Sequence, residues 1–138
     1  MIIMTAHNFL ATTKTHLNLK QQEINNETSY ADKVIKADNL WKSKSKKHFD
    51  DIRIVLDKMC VGSRRCNYCE DSVADEVEHI KPKALYPDAC FKSENYLYNC
   101  GPCNGPKNNK YAIFDQQNNV IDVSRKKRRR CYSTSKWK

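Results

Sequence analysis

Nowhere in the chain do apolar residues run together for long. No stretch approaches the ~20 residues of a membrane span, and Met1, Ile2, Ile3 and Met4 are too few for the apolar region of a secretory signal. A soluble, unexported protein with no membrane partner is the expectation. Apolar residues are also scarce, at 39% hydrophobic and 9% aromatic in 138 residues. One compact domain with a modest core fits this length, and a structural metal would add stability that burial alone supplies poorly. Internal repeats are absent.

The body of the chain also lacks excess charge. Of 25 basic residues, 8 lie beyond position 124, which leaves 17 against all 16 acidic residues before it. The formal net charge of +9 therefore belongs almost wholly to the run Arg125, Lys126, Lys127, Arg128, Arg129, Arg130 and the residues after it. A phosphate-binding tail and an idle, solvated one are both open readings of that run. Any case for nucleic acid has to rest on motifs in the body.

Residues 1–27 show no convincing period among their Asn, Thr and Gln. From Ser29 the pattern improves: Ser29 is placed to cap a helix with Asp32 at its third position, and Tyr30, Val34, Ala37 and Trp41 recur at helical spacing, which predicts a helix over about 30–43. Phe49, Ile52, Val55, Leu56 and Met59 outline a second amphipathic helix that Gly62 can terminate. His7, His16 and His48 have no companions at ligand spacing, so solvated or capping roles are expected.

Val77, Glu78, His79 and Ile80 form a short alternating run stopped by Lys81 and Pro82, which predicts a strand entering a loop. A second strand is expected at Tyr96, Leu97 and Tyr98, then a turn at Gly101 and Pro102, then a helix capped by Asn104 and running towards Lys110.

Four of the seven cysteines stand as Cys66/Cys69 and Cys100/Cys103, a Cys-x2-Cys-x30-Cys-x2-Cys arrangement bracketing the two strands. Four thiolates so spaced suit tetrahedral zinc with no open position, so that the metal is structural, and they point to a reducing cytoplasm. Cys60, Cys90 and Cys131 lack such partners and read as buried or incidental thiols. By itself the cluster indicates a zinc-ribbon or treble-clef-like module, which can bind protein or nucleic acid without doing chemistry.

The residues enclosed by the cysteines narrow the choice. Glu78-His79, then Asn95, then Cys100-Gly101-Pro102-Cys103-Asn104 resemble the pattern of the HNH endonuclease family over residues 60–115. That resemblance implies an α+β fold with a ββα-metal core (60–115), preceded by an N-terminal helical extension (1–59) and followed by a basic tail (116–138). It implies hydrolysis of DNA phosphodiester bonds, with His79 as general base and with Glu78 and Asn104 as ligands of a catalytic divalent metal. Asn95 would fix the long loop and help orient the His79 imidazole. Glu78 stands where Asp is commoner and Asn104 where His is commoner, and these oxygen ligands favour Mg²⁺ or Mn²⁺. For Lys107, contact with a flanking phosphate and solvation on the helix surface are both open. A narrower resemblance, carried by Cys66-Asn67-Tyr68-Cys69-Glu70 and by Glu78-His79-Ile80-Lys81-Pro82-Lys83, is to HNH nucleases of bacterial defence loci, the Septu and retron-associated kinds. It implies antiviral defence and an operon-encoded ATPase as partner. The alternative function is a catalytically silent zinc module that binds nucleic acid or a protein.

Overall fold

The computed structural model describes residues 9–60, 62 and 64–124, and over them the chain is mixed α+β, with four helices and two separate two-stranded sheets. The basic run from Arg125 onwards, His7 and Cys131 lie outside the described residues.

Helix α1 (Ala11–Asn25) occupies the segment in which no period is visible in the sequence. Its buried positions, Thr13, Leu17, Gln21 and Ile24, do follow a helical spacing, but two of the four are polar. Gln21 is buried because it is fully used: its Oε1 accepts from the Phe91 N–H at 2.8 Å and its Nε2 donates to the Pro87 carbonyl at 3.2 Å. A hydrophobic pattern search cannot register a glutamine that clips a distant loop.

Helix α2 (Tyr30–Lys42) matches its expected range and cap, with Ser29 Oγ accepting from the Asp32 N–H at 3.0 Å. Helix α3 (Lys46–Met59) buries Phe49, Ile52 and Leu56. It ends on Cys60, short of Gly62, which sits in the following turn at φ 66°. His48 neither caps α3 nor stands in solvent. It lies inside the helix, half-buried, and stacks on His16 of α1 with ring centroids 4.2 Å apart, so the expected solvated role is corrected for both. The α1–α3 packing draws these two rings together, with Thr13 Oγ1 3.2 Å from His48 Nδ1.

Strands β1 (Glu76–His79) and β2 (Tyr96–Asn99) pair antiparallel, with Glu76 opposite Asn99 and His79 opposite Tyr96. Helix α4 (Gly101–Lys107) follows β2 directly. Cys100, not Asn104, is its N-cap residue: the N–H groups of Cys103 and Asn104 both reach the Cys100 carbonyl, at 3.1 and 3.0 Å. Pro102 fits this first turn because its missing N–H would have had no helical partner there. The cap, and with it the start of the expected helix, therefore moves from Asn104 back to Cys100, and the helix ends at Lys107. A second hairpin, β3 (Ala112–Phe114) with β4 (Val120–Asp122), has no counterpart in the sequence reading. Its turn is built by the Asp115 carboxylate, which accepts from the N–H groups of Gln117 and Asn119 at 2.8 Å each.

The core lies where α1, α2 and α3 meet one face of the β1–β2 hairpin and its loop, with Ile24, Ala37, Phe49, Ile52, Phe91 and Tyr96 all buried. Cys60 and Cys90 are buried here, as their lack of partners suggested. The three helices and the cysteine-bracketed hairpin thus share one core and should unfold together. Ile24→Ala, at a side chain with no exposure, should lower stability by about 2–5 kcal/mol. Denaturant melts read by circular dichroism and tryptophan fluorescence check this, with coincident transitions expected. A loss under about 1 kcal/mol would contradict the place of α1 in the core.

Candidate functional site

Two local structures bring the cysteines together. The Cys66 N–H bonds the Ser72 carbonyl at 2.9 Å, the Glu70 N–H bonds the Cys66 carbonyl at 2.9 Å, and Glu70 turns the chain at φ 56°, so Cys66 and Cys69 sit in one tight turn. Cys100 and Cys103 sit on the N-cap and first turn of α4. All four sulfurs lie within 4.8 Å of one another, and Cys69 Sγ is 3.9 Å from Cys100 Sγ. A tetrahedron with ~2.3 Å zinc–sulfur bonds has edges of about 3.8 Å, so the cluster is positioned to hold a metal ion and is consistent with zinc. The thiols also pull apart in acidity. N–H donors of Ser72 and Asp71 hold Cys69 low, whereas the neighbouring thiols, Cys100 first, and burial push Cys103 up. Four thiolates this close need a cation among them.

Beside the cluster, β1 carries the acidic and histidine residues. Glu78 is 5% exposed; its Oε1 accepts from Lys107 Nζ at the end of α4, and its Oε2 is buried without a hydrogen-bond partner. Burial raises the Glu78 pKa, while the Lys107 ammonium opposes that shift. Lys107 also donates to the carbonyls of His79 and Ile80, so it points inward from its helix and is not solvated there. Asn104, one turn earlier on α4, donates to Glu76 rather than to Glu78. Glu76 and Glu78 share a strand face by the alternation of β1, and Gly101 lets α4 approach that face: a Cβ at Gly101 would stand 3.2 Å from Glu76 Oε1.

His79 is 7% exposed, with its ring centroid 4.1 Å from that of Trp41 and 5.6 Å from that of Tyr96. Its Nε2 lies 2.9 Å from the Cys90 carbonyl. A carbonyl can only accept, so Nε2 carries the proton and Nδ1 keeps the lone pair. Burial, against the opposing Cys90 bond and reinforced by nearby lysines, lowers the His79 pKa to about 4, and the ring is neutral at pH 7.

Asn95 holds the loop that carries the Cys90 carbonyl. Its Oδ1 accepts from the Lys81 N–H at 2.8 Å, and its Nδ2 donates to the carbonyls of Lys81 at 3.1 Å and Ala89 at 2.9 Å. It reaches His79 only through the backbone, by fixing Ala89 next to Cys90.

The structure therefore gathers the four cysteines in one place and Glu78, Lys107 and the His79 main chain in another, with Asn104 on the adjacent position of the same face and Asn95 behind the loop. Trp41, Glu76 and the Cys90 carbonyl belong to the site and went unread in the sequence. Only Glu76 left a sign, two residues before Glu78 on an alternating strand. No helix among the described residues is long and apolar enough to cross a membrane. No model of a protein family, no curated protein and no solved structure matches this chain.

Two outcomes test this geometry. Purified protein should carry one thiolate-bound metal ion per chain, and Cys100→Ser should lose both the ion and the fold, since it removes one of the four thiolates while leaving the backbone cap of α4 in place. Metal analysis with circular dichroism checks it, and a folded, metal-free Cys100→Ser protein would contradict the role. For His79, a folded pKa of about 4, below the 6.5 of a free imidazole, means that stability is fully present above pH 6.5 and is lost as pH falls towards 4. The loss attributable to this one ring approaches about 3 kcal/mol. Denaturant melts of His79→Leu should lack that part of the acid slope; an unchanged slope would mean the ring is not held neutral by burial.

Proposed function

We propose that the chain is a metal-dependent endonuclease of the HNH type, hydrolysing DNA phosphodiester bonds, with a structural zinc in its four cysteines. The observation that carries this reading is the state of His79: a neutral ring whose Nε2 is tied to the Cys90 carbonyl, leaving the lone pair on Nδ1, on the residue next to a carboxylate with a bare oxygen. The order β1, β2, α4, clasped by a four-cysteine cluster, is the order expected of a ββα-metal core, and it supports the family reading taken from the motif.

The chemistry needs an attacking water deprotonated on one side of phosphorus and the departing 3′ oxygen neutralised on the other. His79 Nδ1 takes the water proton; a ring held neutral is already in the accepting state at pH 7, although a pKa of about 4 makes it a weaker base than free imidazole. Asn95 and the Cys90 carbonyl keep that ring in one tautomer and one orientation. Glu78 through Oε2, with Asn104 across the same face, would hold a divalent cation, and the fit is supported by the hard oxygen set and the orphaned buried oxygen. Such an ion, Mg²⁺ or Mn²⁺, supplies charge stabilisation to the phosphate and the leaving oxygen worth several kcal/mol. Defence against phage and an ATPase partner rest on the narrower resemblance alone, and a cytoplasmic location on the metal-ligand spacing of the paired cysteines.

A catalytically silent metal-binding module is the second reading, and one observation favours it: Glu78 is already paired with Lys107, and Asn104 with Glu76. Nicking of supercoiled plasmid separates the two. Cleavage should require added Mg²⁺ or Mn²⁺. His79→Gln, which can still fill the space and donate to Cys90, should keep the thiolate-bound metal and the fold but lose about 10²–10⁴ in rate. No cleavage by the wild type under any divalent metal would favour the silent module, and normal cleavage by His79→Gln would remove the general-base role.

A further inference from the structure

Lys107 is placed as nothing in its surface position requires. It is the last residue of α4, yet its side chain is only 16% exposed and its ammonium is spent on three oxygens of one strand exit: Glu78 Oε1, the His79 carbonyl and, at 3.4 Å, the Ile80 carbonyl. An ammonium has three N–H donors, so all three are taken. Three oxygens around one positive charge are also the ligand type that a hard divalent cation selects. The fourth oxygen nearby, Glu78 Oε2, is buried and satisfied by nothing.

We infer that Lys107 is an internal counter-cation for Glu78, which a divalent ion must displace before it can bind there. The inference rests on the reading of Glu78 as a metal ligand. Its physical basis is that a buried carboxylate cannot stay ionised alone: with no ion present the chain supplies its own positive charge, and a divalent ion competes with that charge for the same oxygens. Two consequences follow. Metal affinity is weaker than the oxygen set alone would give, by the strength of the lysine contact. The lysine is also released when metal binds, and its exposure to solvent then rises from 16%.

Both consequences are read without any assay of cleavage. Full-length protein carrying its thiolate-bound metal is titrated with Mn²⁺, with free Mn²⁺ followed by electron paramagnetic resonance, for wild type, Lys107→Met and Glu78→Gln. Lys107→Met should bind Mn²⁺ roughly tenfold or more tightly than wild type, since one lost competing ion pair is worth at least that factor. Glu78→Gln should bind none at this site. A second measurement uses wild type alone, so that misfolding of the methionine variant does not decide the matter: amine labelling of Lys107, read by mass spectrometry, should rise as Mn²⁺ fills its site. Equal or weaker Mn²⁺ binding by Lys107→Met in folded protein, or labelling of Lys107 that does not respond to bound Mn²⁺, overturns the counter-cation while leaving the metal site standing. Absence of Mn²⁺ binding in wild type and Lys107→Met alike overturns the metal reading of Glu78 and this inference with it.

Discussion

Four sulfurs drawn from two turns about thirty residues apart set the geometry on which the rest depends. Cys66 and Cys69 precede β1, Cys100 and Cys103 follow β2, and a single ion among them would close the hairpin at the end where the strands have no turn of their own. Cys100 couples this closure to the helix, because its carbonyl takes the first N–H groups of α4 while its sulfur faces the other three. The direction of α4, and with it the reach of Asn104 and Lys107 onto β1, is decided at that residue. A small chain with few apolar residues gains from such a closure what a larger core would otherwise supply.

The three preceding helices do more than extend the module. Their packing covers the side of the hairpin on which His79 lies, and Trp41 of α2 rests against the imidazole while meeting Phe49 edge-on at 5.0 Å. Burial makes the ring neutral, and the Cys90 carbonyl makes it directional. The loop that presents this carbonyl is held from two sides, by Asn95 within the hairpin and by Gln21 from α1. A residue of α1 thereby bears on the orientation of a histidine in β1 through two hydrogen-bonded steps, which is why the helices and the site cannot be treated as separate units.

How much of this was legible depends on whether the signal is chemical or positional. The cysteine pairs announce themselves because metal ligation demands both residue type and spacing, and β1, β2, α2 and α3 follow from alternation, caps and apolar stripes. Helix α1 was hidden because Thr13 and Gln21 fill core positions with hydrogen-bonded polar groups. The start of α4 was misplaced because Asn104 is a better capping residue than cysteine, and only the folded cluster reveals that Cys100 takes the role. That shift changes what Lys107 is. Three residues after a cap at Asn104 it would lie in the first turn, but as the last residue of the helix its side chain leans back over the preceding turn towards β1. The β3–β4 hairpin went unread because its apolar residues are few and its turn depends on one aspartate gathering two N–H groups.

Anomalous diffraction from crystals grown with Mn²⁺, recorded at the zinc and manganese edges, tests most directly whether one metal builds the fold and another serves the site. One zinc peak among Cys66, Cys69, Cys100 and Cys103, and one manganese peak on Glu78 with Lys107 turned away, is the predicted result. A manganese peak absent from Glu78 in crystals where zinc fills the four cysteines would contradict the catalytic reading, and an intact fold with no metal among the cysteines would contradict the constraint from which everything else was built.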